Sequence, residues 1–281
     1  MTAYSESISS RDYKRLCELI YRYAGINLGT ERKIMLEVRI KRRLRALDIP
    51  SYGAYCDYLF GHQGMKEELI HLIDVVTTNK TDFFREAGHF DYLLQNTLPE
   101  FVERSANARP FVIWSAGCST GEEPYTMSIV LNEFAQTHLG FRFRILASDI
   151  SNTVLAEAES GIYSETEIEP VAPHLRRKYF MRSRDKSQAR VRVVPELRRQ
   201  VEFRRLNFMD ADYQMLEKAD AVFCRNVIIY FDRPTQERIL QKISNCLLVG
   251  GHMFVGHAET LHDMALPLTP LAPAIYRRTH V

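Results

Sequence analysis

The chain has 281 residues, 46% of them hydrophobic and 26% charged, with a formal net charge of +2 at pH 7. That length suits one large or two ordinary domains with a real core, and so small a net charge gives no global pull toward nucleic acid, leaving electrostatic recognition to a local patch. No apolar run approaches the roughly 18 residues that span a bilayer, and the start Met1-Thr-Ala-Tyr-Ser-Glu-Ser7 lacks a signal peptide's charged and apolar regions, so a cytoplasmic protein without membrane insertion is expected. The five cysteines (Cys17, Cys56, Cys118, Cys224, Cys246) are dispersed and never in Cys-x-x-Cys, which argues against both a disulfide framework and a zinc site. The nine histidines include no zinc-protease motif, and His252 and His257, five apart in a strand-like segment, read as structural.

From residue 11 to about residue 60 apolar residues recur at helical spacing: Leu16, Ile20 and Tyr23, then Ile34, Val38, Leu44 and Leu47. Gly25 and Gly29 separate two helices and Pro50 closes the second. This second helix, about residues 31–47, carries Arg32, Lys33, Arg39, Lys41, Arg42, Arg43 and Arg45 against only Glu31 and Glu37. A solvated face explains such a run, but Arg39 with Arg43 and Arg42 with Arg45 share a sector of surface that would attract an acidic partner. The stretch Thr77-Thr-Asn-Lys-Thr-Asp-Phe-Phe-Arg-Glu86 reads by spacing as a helix start with its cap and hydrophobic anchor, and Arg104-Ser-Ala-Asn-Ala-Arg-Pro110 reads as a connection.

The run from Phe111 through Trp114-Ser-Ala-Gly-Cys-Ser-Thr-Gly-Glu-Glu-Pro-Tyr125 to Leu131 reads as strand, tight loop and helix. Gly117 and Gly121 let a ligand approach main-chain N–H groups, yet the loop matches neither the Walker pattern nor Gly-x-Gly-x-x-Gly. Glu122 and Glu123 would repel a polyphosphate and suit a cationic ligand such as S-adenosylmethionine (SAM); complementing the helix dipole accounts for them equally. A second strand, Phe143-Arg-Ile-Leu-Ala-Ser-Asp149, puts Asp149 at its carboxyl end, where it could accept from ribose hydroxyls or cap the next helix. Val191, Val193, Val194 and Val201 around Pro195 suggest a small antiparallel excursion before Val201-Glu-Phe-Arg-Arg-Leu206 resumes the main sheet. Ala219-Asp-Ala-Val-Phe-Cys224 is a buried strand leading to Tyr230, and Gly250-Gly251 lead into another, so strands alternate with helices in a mostly parallel, doubly wound sheet.

Five motifs together resemble the bacterial chemotaxis receptor methyltransferases, the CheR family: Thr77-Thr-Asn-x-Thr-x-Phe-Phe-Arg-Glu86, Trp114-Ser-Ala-x-x-Ser-Thr-Gly-Glu-Glu-Pro-Tyr125, Ala147-Ser-Asp-Ile150, Phe223-Cys-Arg-Asn-Val-x-Ile-Tyr-Phe-Asp232 and Gly256-His-x-Glu259. The resemblance implies an α/β, Rossmann-like SAM-dependent methyltransferase with an all-α N-terminal domain (1–90, receptor-docking helix about 31–47), a linker (91–110) and a methyltransferase domain (111–281) carrying an antiparallel β-subdomain at about 180–203. It implies cofactor contacts from Asn79, Thr81, Arg85, Gly117, Gly121, Glu123, Asp149, Asn207, Phe208, Arg225 and Asn226, with no metal. The implied reaction methylates receptor glutamates, with Tyr230 and Arg85 orienting the carboxylate and Arg39, Arg42, Arg43 and Arg45 docking the receptor. Some members bind a tethering peptide through a glycine-containing loop; Ser183-Arg-Asp-Lys-Ser-Gln188 has no glycine, so tether binding is not expected. Regulatory partners and oligomeric state stay open. Two other classes share features of this sequence: a nucleic-acid methyltransferase, which the absence of a proline pair after Arg225-Asn226 disfavours, and a non-catalytic SAM-sensing adaptor.

Overall fold

The computed structural model describes residues 7–185, 188–214 and 217–279. They form two compact units: one holds the described residues up to Thr78 with Asn207–Met209 and Tyr230–Thr235, the other holds the rest.

The first unit is built on helices. α1 (Ser10–Ala24) starts where Ser9 Oγ accepts from the Asp12 N–H at 3.0 Å and stops at Gly25, whose φ of +73° only glycine adopts cheaply. α1 buries Tyr13, Leu16, Leu19, Ile20 and Ala24. α2 (Lys33–Leu47) buries Leu36, Ile40 and Leu44, leaving Ile34 and Val38 73% and 58% exposed. Of the apolar residues noted in the sequence for this helix, Leu44 thus lies inward and Ile34 and Val38 outward. α2 carries two apolar stripes on opposite faces, and periodicity alone does not say which one meets the core.

α3 (Tyr52–Leu59), α4 (His62–Glu67) and α5 (Leu69–Val76) complete the helices of this unit. Arg43 of α2 makes a two-pronged pair with Glu68 at 2.8 and 2.7 Å, and the Tyr55 hydroxyl donates to the same carboxylate at 3.0 Å. Glu68 is 1% exposed, so its charge depends on these partners. Arg39 donates to the carbonyls of Val76 and Thr77 at 2.5 and 2.7 Å, closing the carboxyl end of α5.

The second unit opens with α6 (Gly88–Tyr92), a π turn at Leu93–Thr97 and α7 (Leu98–Ser105). This run buries Phe90, Leu93, Leu98 and Phe101. The linker expected at 91–110 is therefore helical as far as Ser105, and the connecting turn is short, with Ala106 and Asn107 at φ of 44° and 59°. Next come β1 (Phe111–Ala116), α8 (Glu122–Thr137), β2 (Phe143–Asp149), α9 (Asn152–Ser160), β3 (Ile162–Ser164), α10 (Pro173–Tyr179), β4 (Phe180–Arg182), β5 (Arg190–Val193) and α11 (Pro195–Arg198). β6 (Val201–Arg205), β7 (Ala219–Cys224), α12 (Arg233–Cys246), β8 (Leu247–Val255), β9 (Leu268–Ala272) and β10 (Ile275–Arg278) follow.

The main sheet has seven strands in the order β6-β2-β1-β7-β8-β10-β9. β6 through β8 in that order are parallel, while β10 pairs antiparallel with both β8 and β9. β1 is buried at every residue because helices cover both faces, and Trp114 satisfies its indole N–H on Ser148 Oγ at 2.9 Å. The small antiparallel sheet, β3-β5-β4, draws its first strand from Ile162–Ser164, upstream of the expected 180–203 stretch. The loop on which the tether expectation rests includes Lys186 and Ser187, which lie outside the described residues. Among the described residues no helix is long and apolar enough to cross a membrane.

Arg43→Ala would strand the buried Glu68 carboxylate and should destabilise the first unit by about 3 kcal/mol, whereas Arg42→Ala on the exposed face should change stability by less than about 0.5 kcal/mol. Urea unfolding of the two variants checks this.

Candidate functional site

β1 is flanked by the parallel strands β2 and β7, so successive connections leave it in opposite directions and a crevice opens beyond its carboxyl end. The loop there turns on Gly117 (φ +91°) and Gly121 (φ +99°). A Cβ at Gly117 would lie 2.5 Å from Val227 Cγ2, and one at Gly121 would lie 2.9 Å from the Ala158 Cβ, so neither position has room for a side chain. The Gly117 and Cys118 N–H groups both donate to the Ser148 carbonyl, at 2.8 and 2.9 Å. Asp149 accepts from the Ser119 N–H at 2.9 Å and from the Ser151 N–H at 3.0 Å, which ties the ends of β1 and β2 together.

The segment carrying Asn79, Thr81 and Arg85 runs beside this loop. Ser119 Oγ donates to the Asn79 carbonyl at 2.9 Å, and the Phe84 N–H donates to Thr126 Oγ1 at 3.2 Å. Arg85 turns its guanidinium onto the Lys80 carbonyl at 2.8 Å, and Thr81 is half-buried. Spacing alone read this segment as a helix start; the structure has a turn there, with Phe84 and Glu86 both at φ of 54°.

Glu123 and Arg225 form a buried pair. Arg225 Nε donates to Glu123 Oε2 at 2.7 Å, and Ser115 Oγ donates to Glu123 Oε1 at 2.7 Å. The same guanidinium donates to the Arg85 carbonyl at 2.8 Å and to His89 Nδ1 at 3.1 Å. Arg225 is 7% exposed, and these bonds give its side chain a role inside the protein that the sequence reading did not foresee. Glu122, 4% exposed, accepts from Thr120 Oγ1 at 2.7 Å, and burial pushes its carboxyl up to about 7.

After β7 the chain turns at Asn226 (φ 58°), whose side-chain amide donates to Glu86 Oε1 at 3.4 Å. Glu86, His89 and His257 bring potential ligand atoms within 4.8 Å of one another. The neighbouring Arg225 guanidinium, 3.6 Å from Glu86, opposes a dication there, and because arginine only donates, its bond to His89 Nδ1 puts the ring proton on Nε2. Burial, and then the Arg225 charge, push His89 down to about 4, so its imidazole is neutral at pH 7. His252 is buried in β8 and pushed down to about 4 by burial, while His257 is exposed. Sequence reasoning named no role for Glu86, His89 or Glu259, although the fifth motif ends on Glu259.

Asn207, Phe208 and Tyr230 belong to the first unit. The Asn207 amide donates to the Tyr23 carbonyl at 2.6 Å and its oxygen accepts from the Met209 N–H at 3.0 Å; Phe208 is buried. The Tyr230 carbonyl accepts from the Asn27 N–H at 2.9 Å, and the Arg32 guanidinium sits 5.9 Å from the Tyr230 ring centre. Of the four expected docking arginines, Arg39 and Arg43 are bonded within the unit, whereas Arg42 and Arg45 are exposed.

A doubly wound sheet with a glycine turn and an acid at its switch point defines a nucleoside-type cofactor domain, and the comparisons make that domain a SAM-dependent methyltransferase. Residues 79–272 match the family model described as CheR methyltransferase, SAM binding domain, and residues 11–77 match the CheR methyltransferase all-alpha domain. The chain is 36% identical over 275 residues to a chemotaxis protein methyltransferase of Borreliella burgdorferi, covering 97% of this chain and 95% of that one. It is 37% identical over 270 residues to the chemotaxis protein methyltransferase of Salmonella typhimurium (96% and 91% covered) and 39% identical over 248 residues to chemotaxis protein methyltransferase 2 of Pseudomonas aeruginosa (88% and 86% covered). The chain belongs to the CheR methyltransferase family.

The Glu122 carboxyl ionises near 4.5 when unfolded and near 7 when folded. Between those values the native state binds more protons than the unfolded chain, so this group's contribution to stability falls as pH rises through the window. Glu122→Gln should flatten that slope and raise stability at pH 8 by about 2 kcal/mol, read by urea unfolding across the pH range.

Proposed function

We propose that this protein transfers the methyl group of SAM to γ-carboxylates of glutamates on the cytoplasmic helical bundle of chemoreceptors, working in the cytoplasm at receptor arrays. The observation that carries this reading is sequence identity spread over 97% of the chain to a chemotaxis protein methyltransferase, rather than confined to the cofactor domain. The glycine turn supports the cofactor assignment, because Gly117 and Gly121 take left-handed φ values of +91° and +99° that build a sharp loop at the carboxyl end of β1, where doubly wound sheets bind ligands.

When bound, SAM supplies an electrophilic methyl group. The residues proposed to hold it are Asn79, Thr81, Arg85, Gly117, Gly121, Glu123 and Asp149, together with Asn207, Phe208 and Asn226; Arg225 acts through Glu123, to whose carboxylate it donates. The acceptor glutamate has an ordinary pKa near ~4.3 and is already ionised at neutral pH, so no general base is required. The protein's task is to align a carboxylate oxygen and to exclude water. Tyr230, by a phenolic hydrogen bond, and Arg85, by charge, are the residues proposed to orient it.

The receptor-facing surface is proposed to be the outer stripe of α2, where Ile34, Val38, Arg42 and Arg45 align. Arg42 and Arg45 would attract acidic receptor helices and raise the encounter rate in a salt-sensitive way. The bonded Arg39 and Arg43 shape this surface rather than reach from it.

Incubation with methyl-labelled SAM and a receptor cytoplasmic fragment should give base-labile label on receptor glutamates; label on nucleic acid, or none at all, would overturn the reading. Tyr230→Phe should lower kcat about 10-fold at saturating SAM and receptor. Charge reversal at Arg42 and Arg45 should lower kcat/KM for receptor about 10-fold at low salt, with the gap closing as ionic strength rises.

A further inference from the structure

The motif Gly256-His-Ala-Glu259 has no part in the contacts proposed above, yet it ends on a buried carboxylate in an unusual setting. Glu259 is 6% exposed, and main-chain N–H groups supply its hydrogen bonds. Its Oε2 accepts from the Asn226 N–H at 2.8 Å and the Gly256 N–H at 2.6 Å, and its Oε1 accepts from the Ile228 N–H at 2.8 Å. Burial pushes the Glu259 carboxyl up, and the main-chain donors pull it back down. One side chain thus joins the chain leaving β8 to the turn leaving β7.

That turn is held from two other directions. Asn226 has a left-handed φ of 58° and donates its amide to Glu86 Oε1, which also accepts from the His257 N–H at 3.3 Å. A Cβ at Gly256 would lie 2.4 Å from Asn226 Nδ2, so this position admits only glycine. The next residue, Val227, fills the space in which a Gly117 side chain would stand. Displacing Asn226 therefore displaces the wall against which the glycine turn is built.

We infer that Glu259 is a positioning residue for the cofactor pocket: through the Asn226 and Ile228 N–H groups it fixes the turn that carries Asn226 and packs Val227 against Gly117. The inference rests on the SAM-dependent reading proposed above. Glutamine cannot do the same work. Its single oxygen can meet either the Asn226 and Gly256 donors or the Ile228 donor, and its NH2 would then face an N–H on the other side.

The test compares wild type, Glu259→Gln, Gly256→Ala and Asp220→Asn. Asp220 is a similarly buried carboxylate at the opposite end of β7, holding the Val112 N–H and Arg109, and serves as the control for stability alone. Glu259→Gln should weaken binding of S-adenosylhomocysteine about 10-fold by calorimetry and speed hydrogen exchange at the Asn226 and Ile228 amides. Asp220→Asn should lower the melting temperature while leaving that affinity within twofold of wild type. Gly256→Ala, which leaves Glu259 intact and pushes Asn226 from the other side, should weaken binding as well and decides the matter if Glu259→Gln does not fold. Unchanged affinity in both Glu259→Gln and Gly256→Ala, or an equal loss in Asp220→Asn, would overturn the inference. A wild type that fails to bind S-adenosylhomocysteine would overturn the cofactor reading itself.

Discussion

The second unit is organised around the buried guanidinium of Arg225. Arg225 stands 7% exposed at the carboxyl end of β7, and an isolated charge so placed would be unaffordable. It is compensated by Glu123 from the first turn of α8, by the Arg85 carbonyl and by His89 of α6, while Phe90 and Phe223 each lie 5.4 Å from its charge centre. Its hydrogen-bond partners come from segments more than a hundred residues away along the chain. Once Arg225 is in place the segment around Arg85, the start of α8 and the end of β7 have little choice of relative position. Removing either charge would leave the other stranded, which is why such pairs matter more for specifying an arrangement than their net energy suggests.

That constraint separates what could be read from the sequence from what could not. The β1 strand, the glycine turn and Asp149 were legible because each is local: an apolar run, two glycines with the conformations only glycine takes easily, and a polar residue ending the next strand. Arg225 and Glu123 were each singled out from sequence motifs, but their mutual pairing was not legible, since nothing in the sequence marks two residues 102 apart as partners. The same holds for Arg43 and Glu68, and it explains why the basic run on α2 looked uniform when half of its expected docking arginines are bonded within their own unit.

Two features lay beyond the reach of periodicity. Residues 91–110 were expected to be linker, yet Leu93, Leu98 and Phe101 are buried and the helical run continues to Ser105 through a π turn across the polar Gln95, Asn96 and Thr97. In α2 the apolar set at Ile34 and Val38 is as regular as the set at Leu36, Ile40 and Leu44, and only packing chooses between them. The antiparallel β9 and β10, and the first strand of the small sheet, are short and weakly patterned, so they left little trace before the sheet assembled around them.

The order of the main sheet also governs how it ends. An outermost strand is a template on which a second chain can add itself, and both borders here discourage that. β9 carries Pro270, which has no N–H to offer a newcomer, and three of the five residues of β6 are charged, with Glu202 and Arg205 exposed. Copies of this chain can thereby crowd together without their sheets zipping into one another.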